Sequence, residues 1–83
     1  MYLVRIERAA VKSLVRISEP WQGKLQNALR QLAANPRPPG VVKLSGRDAW
    51  RVRVADYRII FEIHDAVLLV LVVDIGHRRD IYR

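Results

Sequence analysis

At 83 residues, 51% hydrophobic, with 15 Lys+Arg against 8 Asp+Glu and no cysteine, the chain reads as one domain, residues 1–83, of net charge +7. That apolar share excludes a disordered chain, and the lack of cysteine excludes disulfide staples, thiolate metal sites and a thiol nucleophile. No apolar run approaches the roughly 20 residues of a membrane helix, and the charged, alternating start is not a signal peptide, so a cytoplasmic protein without membrane contact is expected.

The first predicted element is a strand over residues 2–7, with Leu3 and Arg5 on the side opposite Tyr2, Val4 and Ile6. Residues 8–17 turn helical, because Ala10, Leu14 and Ile17 fall at i, i+4 and i+7. Ser18-Glu19-Pro20 then separates two helices, with Ser18 as the expected N-cap and Pro20 in the first turn. The second helix, 19–35, shows an apolar face of Trp21, Leu25, Ala28, Leu29, Leu32 and Ala33. Asn35-Pro36-Arg37-Pro38-Pro39-Gly40 stops it, since proline cannot continue a helix and disfavours helical geometry just before it.

A short strand over 41–44 and a turn over 45–48 lead into the most informative stretch, residues 50–63. Trp50, Val52 and Val54 alternate with Arg51 and Arg53; Tyr57, Ile59, Phe61 and Ile63 alternate with Arg58, Ile60 and Glu62. Folding back at Ala55-Asp56 sets Val54 against Tyr57, Val52 against Ile59, Trp50 against Phe61 and Arg53 against Arg58. Ala-Asp is a poor pair for a tight turn that needs positive φ, so a four-residue loop, which keeps the same parity, is expected. One face of the hairpin is then apolar, with Trp50 and Trp21 both assigned to the core, and the other carries Arg51, Arg53 and Arg58. Like charges directly across a sheet destabilise it. The cluster is either a seat for a polyanion or a solvated basic face whose stems cover apolar surface.

After a turn at Asp65-Ala66, residues 67–75 form an apolar strand without alternation. Such a run suits a central strand buried on both faces, or one whose second face awaits a partner. The order of elements indicates an α+β fold: an antiparallel sheet with an N-terminal two-helix hairpin packed on one face, β-α-α-β-β-β. Twelve of the 15 cations are arginine, whose planar fork grips phosphate in pairs. The charge thus points to nucleic acid, an acidic protein partner, or both. Residues 1–42 carry +5 and residues 43–83 only +2, so net charge names a class of partner without locating the site.

Lys43-Leu44 with Gly46, the run from Trp50 to Phe61 with its Asp56-Tyr57-Arg58, and the closing Gly76-His77-Arg78-Arg79-Asp80-Ile81-Tyr82 resemble the frame of the RelE/ParE superfamily of bacterial toxins. The Gly-His-Arg and Ile-Tyr-Arg ending is similar to the RelE branch. That resemblance implies a toxin of a type II toxin–antitoxin system that enters the ribosomal A site and cuts mRNA without a metal or other cofactor. The ribose 2′-hydroxyl would attack the adjacent phosphate, leaving a 2′,3′-cyclic phosphate. It further implies that Arg51 binds the RNA backbone, that Arg53 lies near the 2′-hydroxyl, and that Arg58 and Arg78 stabilise the phosphorane and leaving oxygen. Tyr82 would pack on a base, and Lys43, Arg79 and Arg83 join Arg51 as RNA-binding candidates. The implied partners are the ribosome, mRNA and a small co-encoded antitoxin, through which the toxin would meet operator DNA.

Some members carry lysine at the position of Arg53, where it is a candidate general base; arginine stays protonated and cannot take that role. His77 is then the candidate for proton transfer, with a structural histidine at the sheet edge as the alternative. Glu62 shares a face with Arg58 but stands four residues away, roughly 13 Å along a strand, and His64 is expected to be merely exposed. ParE-like relatives share the fold and inhibit DNA gyrase without cleaving nucleic acid, and an inactive remnant that only binds antitoxin would look similar.

Overall fold

The computed structural model describes residues 1–77. Strand β1 (Leu3–Ile6) is followed by helices α1 (Arg8–Val15) and α2 (Trp21–Ala34), then β2 (Val42–Lys43), β3 (Trp50–Val54), β4 (Tyr57–His64) and β5 (Leu69–His77). The sheet order is β1-β5-β4-β3-β2. The α+β architecture is the expected one, with two refinements. The sheet is mixed, because β1 lies parallel to β5 while all other pairs are antiparallel. Short β2 falls within the strand expected over 41–44, so four strands follow the helices where the β-α-α-β-β-β order counts three.

The helices form where the apolar stripes fall. Ala10, Leu14 and Ile17 are buried, as are Leu25, Leu29 and Leu32 of α2, and they pack on Ile59, Phe61, Val70, Val72 and Ile75 of the sheet. Between the helices the capping differs from expectation. Pro20 is the N-cap of α2, and the Gly23 N–H is taken by Glu19 Oε1 at 2.8 Å rather than by Ser18. Gln22 Nε2 donates to the carbonyls of Leu14 and Ile17, each at 3.1 Å, satisfying acceptors that the end of a helix leaves open. Trp21, at the first position of α2, is 37% exposed and thus no core residue; it stands at the rim, lining an open hollow with Tyr57, His77 and the Ala55-Asp56 turn.

The β3–β4 register is the one the alternation dictates: Trp50↔Phe61, Val52↔Ile59, Arg53↔Arg58 and Val54↔Tyr57. The connection is the tight two-residue Ala55-Asp56 turn, not a four-residue loop. Ala55 takes φ 54°, the pattern of a turn that needs positive φ only at its first central residue. Arg53 Nε donates to the Ala55 carbonyl at 3.3 Å and braces that conformation.

Strand β5 starts two residues later than its apolar run, because Asp65–Val67 wind into a 3-10 turn closed by Leu68 at φ 52°. It is an interior strand between β1 and β4. Its missing alternation comes from a bulge: Asp74 pairs with Ile60 and Val72 with Phe61, so Val73 is an extra residue. Val70, Val72 and Ile75 therefore all reach the core, while Leu69, Leu71 and Val73 stay half-buried.

Candidate functional site

The face of the sheet away from the helices carries Arg51, Arg53 and Arg58. This follows from strand parity: their neighbours Val52, Ile59 and Phe61 are the residues packed toward the helices. Arg53 and Arg58 stand directly across the ladder, and Arg51 lies two residues from Arg53 opposite Ile60. Arg53 is exposed; Arg51 and Arg58 are half-buried, and Arg58 Nε is covered. Three guanidiniums on one open sheet face, two of them cross-strand neighbours, can present several N–H donors to one anionic group.

The structure does not bring every candidate to this face. Lys43 pairs with Trp50, so its parity is that of the helix side; its ammonium lies 5.8 Å from the Trp50 ring centroid and 3.7 Å from Asp48 Oδ1. His77 pairs with Tyr57, and the two rings meet edge to face at 5.7 Å, whereas Arg58 pairs with Gly76. The imidazole thus belongs to the side of Tyr57, across the sheet from the guanidiniums. Arg78, Arg79, Tyr82 and Arg83 lie outside the described residues. Glu62 and His64 share the open face, but bond each other at 2.9 Å. Among the described residues no three His, Asp or Glu side chains converge as metal ligands.

At the opposite end of β4 lies a polar cluster that sequence reading missed. Asp65 accepts from the Tyr2 hydroxyl at 2.5 Å and from both terminal nitrogens of Arg37 at 3.1 and 2.9 Å. The guanidinium of Arg37 also lies over the Trp50 ring, 5.3 Å from its centroid. The Arg37 and Tyr2 hydrogen bonds hold the Asp65 carboxyl at about 2, and the bond to Asp65 raises the Tyr2 phenol in return. This cluster fastens the first strand, the proline-rich segment after α2 and the β4–β5 turn to one another. The proline run could have flagged the segment as rigid; nothing local in the sequence pairs Arg37 with a residue 28 positions away.

Against known proteins, the family model described as ParE toxin of type II toxin–antitoxin systems, parDE, matches residues 4–82. No curated protein sequence matches. Among solved structures, the chain is similar to a chain of the archaeal RelE–RelB complex from Pyrococcus horikoshii, at 25% identity and TM-score 0.84, covering 95% of this chain and 97% of that one. It is also similar to a chain of the RelBE2 toxin–antitoxin complex of Mycobacterium tuberculosis (20%, TM-score 0.82, 93% and 98% covered). A third is the RelBE toxin–antitoxin complex of E. coli (21%, TM-score 0.81, 93% and 96% covered).

Proposed function

Given that the chain belongs to the ParE toxin family of type II toxin–antitoxin systems, we propose that it is a RelE-type endoribonuclease that cleaves mRNA in the ribosomal A site. The observation that carries this reading is the register that sets Arg53 opposite Arg58, with Arg51 on the same open face. A phosphoryl transfer through a phosphorane concentrates negative charge on non-bridging oxygens, and preorganised cations aimed at that charge supply the largest catalytic effect. In this mechanism the 2′-oxygen bonds to phosphorus as the bond to the 5′-oxygen breaks. Arg51 holds the RNA backbone, Arg53 lowers the cost of ionising the 2′-hydroxyl, and Arg58 with Arg78 neutralises the phosphorane. Tyr82 stacks on a base.

The placement of His77 beside Tyr57 favours the version without a protein base. The 2′ proton goes to hydroxide or to a ribosomal group, and the departing 5′-oxygen takes its proton from solvent. The toxin works in the cytoplasm, where a small antitoxin neutralises it. The open face mixes guanidiniums with apolar Leu3 and Val42, 64% and 46% exposed, which suits an acidic, amphipathic segment that folds on binding. Such an antitoxin would also carry the toxin to operator DNA.

The matched family carries the ParE name, and the rival that goes with a ParE-like chain is a non-enzymatic gyrase inhibitor. Inducing the chain without antitoxin and mapping message ends on ribosomes, alongside plasmid supercoiling, separates the two. Codon-phased cuts with normal supercoiling are expected; relaxed plasmid with intact message would transfer the reading to gyrase.

A further inference from the structure

We propose that a cleft at the tip of the β3–β4 hairpin, on the helix side of the sheet, takes an unpaired nucleobase of single-stranded RNA. This rests on the nuclease reading for the identity of the polymer: the base would belong to a nucleotide flanking the segment held by the arginines. Tyr57 and His77 form a shared wall between two adjoining hollows of about 450 and 110 Å³. The larger is bounded by Ser13, Arg16 and Ile17 of the α1 end, the smaller by Trp21 and the Ala55-Asp56 turn.

Three aromatic rings at one cleft offer stacking surfaces, which hold any base because every base has a π-face. Trp21 is the least buried of them, and the Lys24 ammonium lies 5.0 Å over its ring, a cation on one face of the platform that a base would share or displace. The carboxylate of Asp56 on the wall of the smaller hollow repels phosphate and accepts from exocyclic amino groups, so that hollow suits the base, while Arg16 on the larger one can face the backbone. The path is short. Arg53, on the arginine face, donates to the carbonyl of Ala55, and Ala55 is itself part of the cleft wall. A strand leaving the guanidiniums need only pass the hairpin tip to place its next base beside Trp21.

The test uses the full chain and a labelled single-stranded RNA hexamer. With Trp50→Phe, Trp21 is the sole tryptophan, and its emission should quench saturably as RNA is added. By anisotropy, Trp21→Ala should bind roughly 5- to 150-fold more weakly, the range for losing one stacked base, and Trp21→Phe should restore most of the affinity. Wild-type affinity in Trp21→Ala, or quenching by an antitoxin peptide but not by RNA, overturns the proposal. Ribosomal cleavage by Trp21→Ala and Arg58→Ala is measured in parallel. Loss of cutting in Arg58→Ala, with RNA binding in Trp21→Ala like wild type, would sink the cleft and leave the nuclease reading standing.

Discussion

The two faces of the sheet come from the same strands, yet they place opposite demands on their surroundings. On the helix side, Ile59, Phe61, Val70, Val72 and Ile75 are satisfied by α1 and α2. On the open side, Arg53 and Arg58 oppose each other across one ladder position. Arg37 shows what a structural arginine looks like in this molecule: its fork is answered by both oxygens of Asp65 and its plane by Trp50. Arg53 contacts a carbonyl and forms no salt bridge among the described residues. A charge answered within the fold maintains the fold; in the proposed function the like charges aligned on the open face receive an anion from outside.

Truncation should separate the faces most sharply at Phe61. Phe61→Ala removes a fully buried ring and should cost about 3–5 kcal/mol, read as a lower urea midpoint, with activity lost only through unfolding. Arg53→Ala should do the reverse. Cleavage should slow by about 2.7–4 kcal/mol of barrier. Unfolding free energy should stay within about 0.5 kcal/mol of wild type or rise slightly, as the opposition with Arg58 is relieved. Equal loss of stability in both variants would erase the distinction between the faces.

Smaller effects are expected at the fastening and at the imidazole. Asp65 has its carboxyl held at about 2 against an ordinary 3.8, so its stabilising contribution is present above pH 4 and is lost as pH falls from about 4 to about 2. Thermal melts of wild type and Asp65→Asn should therefore differ at pH 6 and converge near pH 2; a constant gap would remove the Arg37–Asp65 charge pair from the account of stability. The smallest effect is none: His77→Gln should leave both the single-turnover rate and its pH profile on saturating ribosomes unchanged. A lost inflection near neutrality would return the proton to His77.

Much of this was legible because alternation over residues 50–63 fixes both parity and pairing once the fold-back point is known. The arginine face and the hairpin register followed from that alone. The tight turn did not, because Ala55 adopts positive φ against its own preference and is held by a contact from Arg53. The bulge at Val73 was invisible for a related reason: an all-apolar run hides the residue at which period two slips. Trp21 misled because helical periodicity reports the direction of a side chain, not how completely its neighbours close over it: it faces Tyr57 and the hairpin turn yet stays 37% exposed. The parallel β1–β5 pairing and the Asp65 cluster join chain segments too far apart for any local pattern to connect.

The most direct test takes the purified chain to ribosomes programmed with a defined message and analyses the ends of the fragments. Wild type should leave a 2′,3′-cyclic phosphate upstream and a 5′-hydroxyl downstream, and Arg58→Ala should cut roughly 10²–10³ times more slowly while remaining folded. An uncut message, or fragments formed equally fast by Arg58→Ala, would contradict a catalytic arginine face.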